Sequence, residues 1–88
     1  MTPQLHPRWH RTDPWLKAEI TPGNFKNGLL LINAIGYLAE KYQHHPDLRL
    51  GYNRVEIRLT THDARQITDK DYRLAAEIDR LLASDNPL

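Results

Sequence analysis

Three of the five histidines in this chain sit where they can work together: His44 and His45 side by side ahead of Pro46, and His62 at the end of the run Leu59-Thr60-Thr61-His62. The imidazole ordinarily titrates nearer neutrality than other side chains, so a group of three can deliver one proton and withdraw another at physiological pH. Each residue also has a plainer role. His44 and His45 follow the last turn of a helix, where a protonated ring interacts favourably with the helix dipole and Pro46 enforces the stop. His62 fits a surface turn hydrogen-bonded to Asp63, Asp71 a first-turn helix acid, and Tyr52 a packing aromatic.

The elements that must position these residues follow from the apolar pattern. Arg54-Val55-Glu56-Ile57-Arg58-Leu59-Thr60 alternates strictly, which defines a strand with Val55, Ile57 and Leu59 on one face and the charged residues on the other. Parity carries His62 to the side of Arg54, Glu56, Arg58 and Thr60, where a polar pocket can form. Asp47 to Tyr52 reads as a short strand or extended loop, with Gly51 permitting a bend. Phe25, Leu29, Ile32, Ile35 and Ala39 recur at helical spacing and predict a helix from Phe25 to about Tyr42. Leu30, Leu31 and Leu38 widen its apolar stripe beyond what one sheet face covers, so part of it is expected to meet another subunit or further core surface.

Before that helix, Thr21-Pro22-Gly23-Asn24 supplies turn chemistry, and Trp15 to Ile20 reads as a strand. The last helix opens after Thr68, a good N-cap, with Asp69 and Asp71 complementing its positive end. Leu74, Ala75, Ile78, Leu81 and Leu82 form its buried stripe to about Ala83 or Ser84, and Asn86-Pro87 bars continuation.

A chain of 88 residues builds one small domain. Residues 1–14, with Pro3, Pro7 and Pro14, read as an extended lead-in with a short strand around Arg8 to Arg11, and residues 15–85 as the domain. Strand, helix, strands, helix with short connections gives the α+β class: a small antiparallel sheet carrying helices on one face. Open sheet edges and a modest core both favour a homodimer or homotetramer.

Lys and Arg total 12 against 11 Asp and Glu, a net charge of +1, which provides no footprint for nucleic acid or an anionic membrane. Cysteine is absent, which removes disulfides and thiolate metal sites, and no apolar run approaches the roughly 20 residues of a membrane span. With no apolar signal region at the start either, the expectation is a soluble cytoplasmic protein. A zinc site would require His6 or His10 to join the trio, and no metal is assigned.

Taken jointly, these positions resemble the signature of the pterin-4a-carbinolamine dehydratases, also called 4a-hydroxytetrahydrobiopterin dehydratases: an acidic residue, three spacers, His-His-Pro, an aromatic, nine spacers, a histidine and a later aspartate. Here they are Glu40, Lys41-Tyr42-Gln43, His44-His45-Pro46, Tyr52, His62 and Asp71. The likeness runs from about Trp15 to Leu82 and takes in Tyr52-Asn53-Arg54-Val55 and Thr61-His62.

The resemblance implies that family's fold, without the additional N-terminal helix of longer members. It implies dehydration of a 4a-hydroxytetrahydropterin to the quinonoid dihydropterin, a step in pterin cofactor recycling that uses neither metal nor cofactor. By the same similarity His44, His45 and His62 are the catalytic residues, with His44 and His62 transferring protons and His45 holding substrate. Glu40, Tyr52, Thr61, Asp63 and Asp71 would contact substrate, Asp71 or brace a histidine instead. Glu40, four residues before His44, would also orient an imidazole. Where many relatives carry Gly-Gly this chain has Arg65-Gln66, so a turn that calls for positive φ is occupied by residues with side chains and the loop is expected to run differently. The family fold also serves as a dimerisation partner and as an assembly factor for Rubisco, which makes a protein-binding role the alternative.

Overall fold

In a computed structural model, residues 4–83 are described. The elements in chain order are β1 (His10–Thr12), β2 (Trp15–Ile20), α1 (Phe25–Tyr42), β3 (Asp47–Gly51), β4 (Arg54–Leu59) and α2 (Asp69–Ala83). The strands form one antiparallel sheet in the order β1-β2-β4-β3. The expected α+β class and both helices are present. Ser84 and the Asn86-Pro87 stop lie outside the described residues.

Alternation in the strands divides the sheet into two faces. Leu16 and Ala18 of β2 and Val55, Ile57 and Leu59 of β4 are buried, and they pack with Leu31 and Ile35 of α1 and Leu74, Ala75 and Ile78 of α2. Each large aliphatic side chain buried this way contributes about 1.5–3 kcal/mol, so this one layer of contacts holds both helices to the sheet. Opposite them, β4 presents Arg54, Glu56 and Arg58, and the neighbouring strands set carboxylates within ion-pair distance: Glu19 at 3.5 Å from Arg54 and Asp47 at 3.6 Å from Arg58.

The proline-rich start is tied into this structure. β1 lies at His10–Thr12, starting two residues and ending one residue later than the Arg8 to Arg11 expected, and pairs with β2. Trp9 is buried, and its indole N–H donates to Asp79 on α2 at 2.8 Å. Arg11 donates to Asp13 at 2.7 Å and to the Tyr72 hydroxyl at 3.2 Å; the Asp13 bond, then the Tyr72 bond, raise its pKa above the ordinary arginine value.

The boundaries of α1 set the stage for the histidines. Asn24 caps its start by accepting the Asn27 N–H at 2.8 Å, as short polar side chains do at an N-terminus. At its other end Gln43 adopts the left-handed conformation, φ 51°. Its N–H reaches the Glu40 carbonyl at 3.3 Å, and the His44 N–H reaches the Ala39 carbonyl at 3.1 Å, the paired bonds of a Schellman turn. The residue that usually takes this place is glycine; here glutamine takes it and returns its side-chain amide to the Glu40 carbonyl at 2.7 Å.

Candidate active site

Because Gln43 reverses the backbone twist, the two histidines that follow it part company. His44 turns inward, its side chain only 13% exposed, and its Nε2 lies 2.6 Å from Oδ1 of the fully buried Asp71. His45 stays exposed and turns back, bringing its Nε2 to 2.5 Å from Oε2 of Glu40. Helical spacing had pointed Glu40 at His44, four residues on; the left-handed turn hands it to His45 instead.

Asp71 stands on the first turn of α2, and its other oxygen holds the helix end together. Oδ2 accepts the Thr68 backbone N–H at 2.9 Å, while the Thr68 hydroxyl accepts the Lys70 N–H at 3.3 Å. Asp71 thus reaches back to the Thr68 N–H as the third residue of a capping box does, while the threonine hydroxyl serves the N–H of the second residue rather than the third. Oδ2 also accepts the hydroxyl of the buried Thr61 at 2.7 Å. A carboxylate only accepts hydrogen bonds, so against an ionised Asp71 the proton of the His44 contact belongs on Nε2.

Beyond β4 the chain closes a tight loop that presents His62. Thr60 donates to the Pro14 carbonyl at 2.5 Å, Thr61 bridges to Gln66, and the Arg65 N–H returns to the Thr61 carbonyl at 2.8 Å. Arg65 takes φ 55°, so the positive φ foreseen for this turn is adopted by a residue with a side chain. The His62 ring meets Trp15 edge to face, with centroids 6.2 Å apart and planes at 81°. On the same indole lies the Arg58 guanidinium, 4.1 Å from the ring centroid. His62 therefore belongs to the polar side of the sheet, the side that carries Arg58.

His44, His45 and His62 line one open cleft of about 350 Å³, together with Thr61, Asp63 and Lys70. Glu40 and Asp71 stand behind the histidines they bond. Tyr52 does not join them: it is 81% exposed in the turn after β3 and borders a different hollow, with Arg49 and Arg54. A second cavity of about 320 Å³ adjoins the cleft across His44 and Lys70 and reaches Arg73 and Leu74. Among the described residues no three His, Asp or Glu side chains converge as metal ligands.

Trp15, Lys70 and the hydroxyl of Thr68 are parts of this site that the sequence pattern did not single out. Trp15 had a usable signal, since parity puts it on the polar face of β2 next to the end of β4. Thr68-x-x-Asp71 likewise has the spacing of a capping box. Lys70 carries no such mark.

A four-stranded antiparallel sheet backed by two helices is the fold of the pterin dehydratase-like proteins. A solved structure described as a transcriptional coactivator/pterin dehydratase from Brucella melitensis superposes with a TM-score of 0.79 at 25% identity, over 85% of this chain and 82% of that one. A pterin dehydratase-like protein described as a RuBisCO assembly factor in the alpha-carboxysome shares the fold, with a TM-score of 0.69 at 23% identity over 89% and 90% of the two chains. The family model for pterin 4 alpha carbinolamine dehydratase matches residues 1–81, and the chain belongs to that family. Among its relatives, a protein of Aquifex aeolicus provisionally named a pterin-4-alpha-carbinolamine dehydratase is 39% identical over 74 residues, covering 84% of this chain and 75% of its own. Another of the same name, from Chloroflexus aggregans, is 49% identical over 59 residues, covering 67% and 63%.

Proposed function

We propose that this protein dehydrates a 4a-hydroxytetrahydropterin to the quinonoid dihydropterin by histidine acid and base catalysis. The observation that carries this reading is that His44, His45 and His62 border a single cleft while two of them are each bonded to a carboxylate. In the reaction the bond between C4a and its hydroxyl oxygen breaks, the oxygen takes a proton from a general acid and leaves as water, and a base removes the N5 proton as the C4a–N5 double bond forms. A protonated imidazole supplies the first proton and a neutral one accepts the second. Asp71 suits His44 to the accepting step, because it holds Nε2 and stabilises positive charge developing on the ring. His62, exposed and steadied by Trp15, is the complementary acid, and His45 with Glu40 borders the substrate.

Stopped-flow decay of 4a-hydroxytetrahydropterin tests this directly. The wild type speeds the decay, and His44→Ala or His62→Ala slows it by roughly 100-fold or more, the scale of a lost acid or base. Decay no faster than in buffer eliminates the enzyme reading.

A second reading, protein binding, draws on α1. Phe25, Leu29, Leu30 and Tyr37 are 38–79% exposed on it, and exposed apolar groups gathered on one helix mark an interaction surface. The occupant we favour is a second copy of the chain, giving a homo-oligomer joined through α1. A protein partner of another kind, such as an enzyme under assembly, is the alternative.

A further inference from the structure

We infer that Thr61 and Thr68 are positioning residues for His44, acting through Asp71, so that the cap of α2 and the orientation of the imidazole form one hydrogen-bonded unit. The argument is a count of protons. Each threonine hydroxyl has one proton to give. Thr61 gives its proton to Asp71, which as a carboxylate has none to return, across 2.7 Å. The 2.6 Å contact between the two hydroxyls must then use the proton of Thr68. The Thr68 oxygen in turn accepts from the Lys70 N–H. Every bond in the chain Thr68 to Thr61 to Asp71 thus has one permitted direction, and His44 donates to the same carboxylate from the opposite side.

Burial makes that direction binding. Thr61 is 8% exposed and Asp71 not at all, so solvent has little room to stand in for a missing donor. Oδ2 carries two donors, one of them the backbone of the helix cap, and the carboxylate cannot rotate toward His44 without releasing both. The plane of Asp71 is therefore fixed by the fold, and with it the line along which the His44 Nε2–H must point. The bonds of the helix cap run between Thr68, Lys70 and Asp71 and are complete without Thr61; its hydroxyl adds a further donor to the carboxylate that meets His44 and an acceptor for the Thr68 proton.

Thr61→Val separates the two roles. It keeps the β-branched shape and leaves both capping bonds in place, while removing the proton that Asp71 receives and the acceptor for Thr68. Two readouts are taken. Long-range ¹H–¹⁵N spectra of the histidine rings at pH 8 give the tautomer of His44, and stopped-flow kinetics give kcat and KM. The wild type shows His44 protonated on Nε2 alone. Thr61→Val shows a mixture of tautomers and a kcat lower by about tenfold with KM little changed, the scale of one hydrogen bond to a charged group, and Thr61→Ser restores both. Unaltered tautomer and kcat in Thr61→Val overturn the inference, as does a fall in kcat with the tautomer intact. The kinetic arm rests on the dehydration proposed above, but the ring-nitrogen spectrum does not, so an inactive wild type still leaves the relay decided. Should Thr61→Val not fold, the wild-type spectrum decides: slowly exchanging hydroxyl protons on Thr61 and Thr68 are expected, and rapidly exchanging ones refute the relay.

Discussion

Asp71 and His44 are 27 residues apart in sequence and 2.6 Å apart in space, and the carboxylate that holds the imidazole also closes the first turn of α2. One side chain thus both caps the helix and holds the imidazole. Asp71→Asn keeps the shape but offers an amide where a carboxylate accepted three donors, so either a buried donor loses its partner or His44 must accept from the amide at Nε2 and carry its proton on Nδ1, the wrong tautomer for the proposed base. Stability is expected to fall by about 2–3 kcal/mol, and dehydration by roughly 100-fold. Urea unfolding beside stopped-flow assays measures both; full activity in Asp71→Asn would contradict the assignment.

Trp15 is expected to matter through His62. Trp15→Leu removes the aromatic edge contact and the surface on which Arg58 lies, interactions worth about 0.5–1.5 and 0.5–1 kcal/mol. The expected outcome is a thermal midpoint lower by a few degrees and a fall in kcat smaller than that of His62→Ala. A fall as large as that of His62→Ala would mean that Trp15 touches substrate itself.

The loop at Arg65 offers a gain. Arg65 has φ 55°, where a side chain costs about 1 kcal/mol that glycine does not. Arg65→Gly is therefore expected to stabilise the protein by up to about 1 kcal/mol, reduced by the added freedom of the unfolded chain. Calorimetry is the check, and a lower melting temperature would contradict the account of that turn.

Self-association is tested on α1. Leu29, 44% exposed, becomes a buried charge in any oligomer joined there when replaced by glutamate. Sedimentation velocity should show the wild type as an oligomer and Leu29→Glu as a folded monomer. A monomeric wild type would leave that face to a different partner.

Much of this architecture was legible because two periodicities stand out. The strict alternation of Arg54 to Leu59 defines β4, and the spacing of Phe25, Leu29, Ile32, Ile35 and Ala39, closed by His-His-Pro, gives α1 with the bounds it has, Phe25–Tyr42. The three histidines could be named from their types and spacing, and Glu40 and Asp71 from the family pattern as braces for an imidazole, but not which histidine each would meet. Glu40 meets His45 rather than His44 because Gln43 is left-handed, and no pattern marks glutamine for that conformation. The bond from His44 to Asp71 depends on how α2 docks on α1, a long-range fact carried by packing. Tyr52, placed in the site by its position in the motif, stands apart from it because Gly51 to Arg54 forms the tight turn between β3 and β4.

The most direct measurement is single-turnover dehydration of 4a-hydroxytetrahydropterin by the wild type, His44→Ala, His62→Ala and the double variant, all confirmed as folded. If the two imidazoles trade protons across one bound pterin, each single variant loses roughly 100-fold or more, and the double variant loses far less than the product of the two losses, as groups acting as a unit do. A double variant as fast as the wild type would contradict the account.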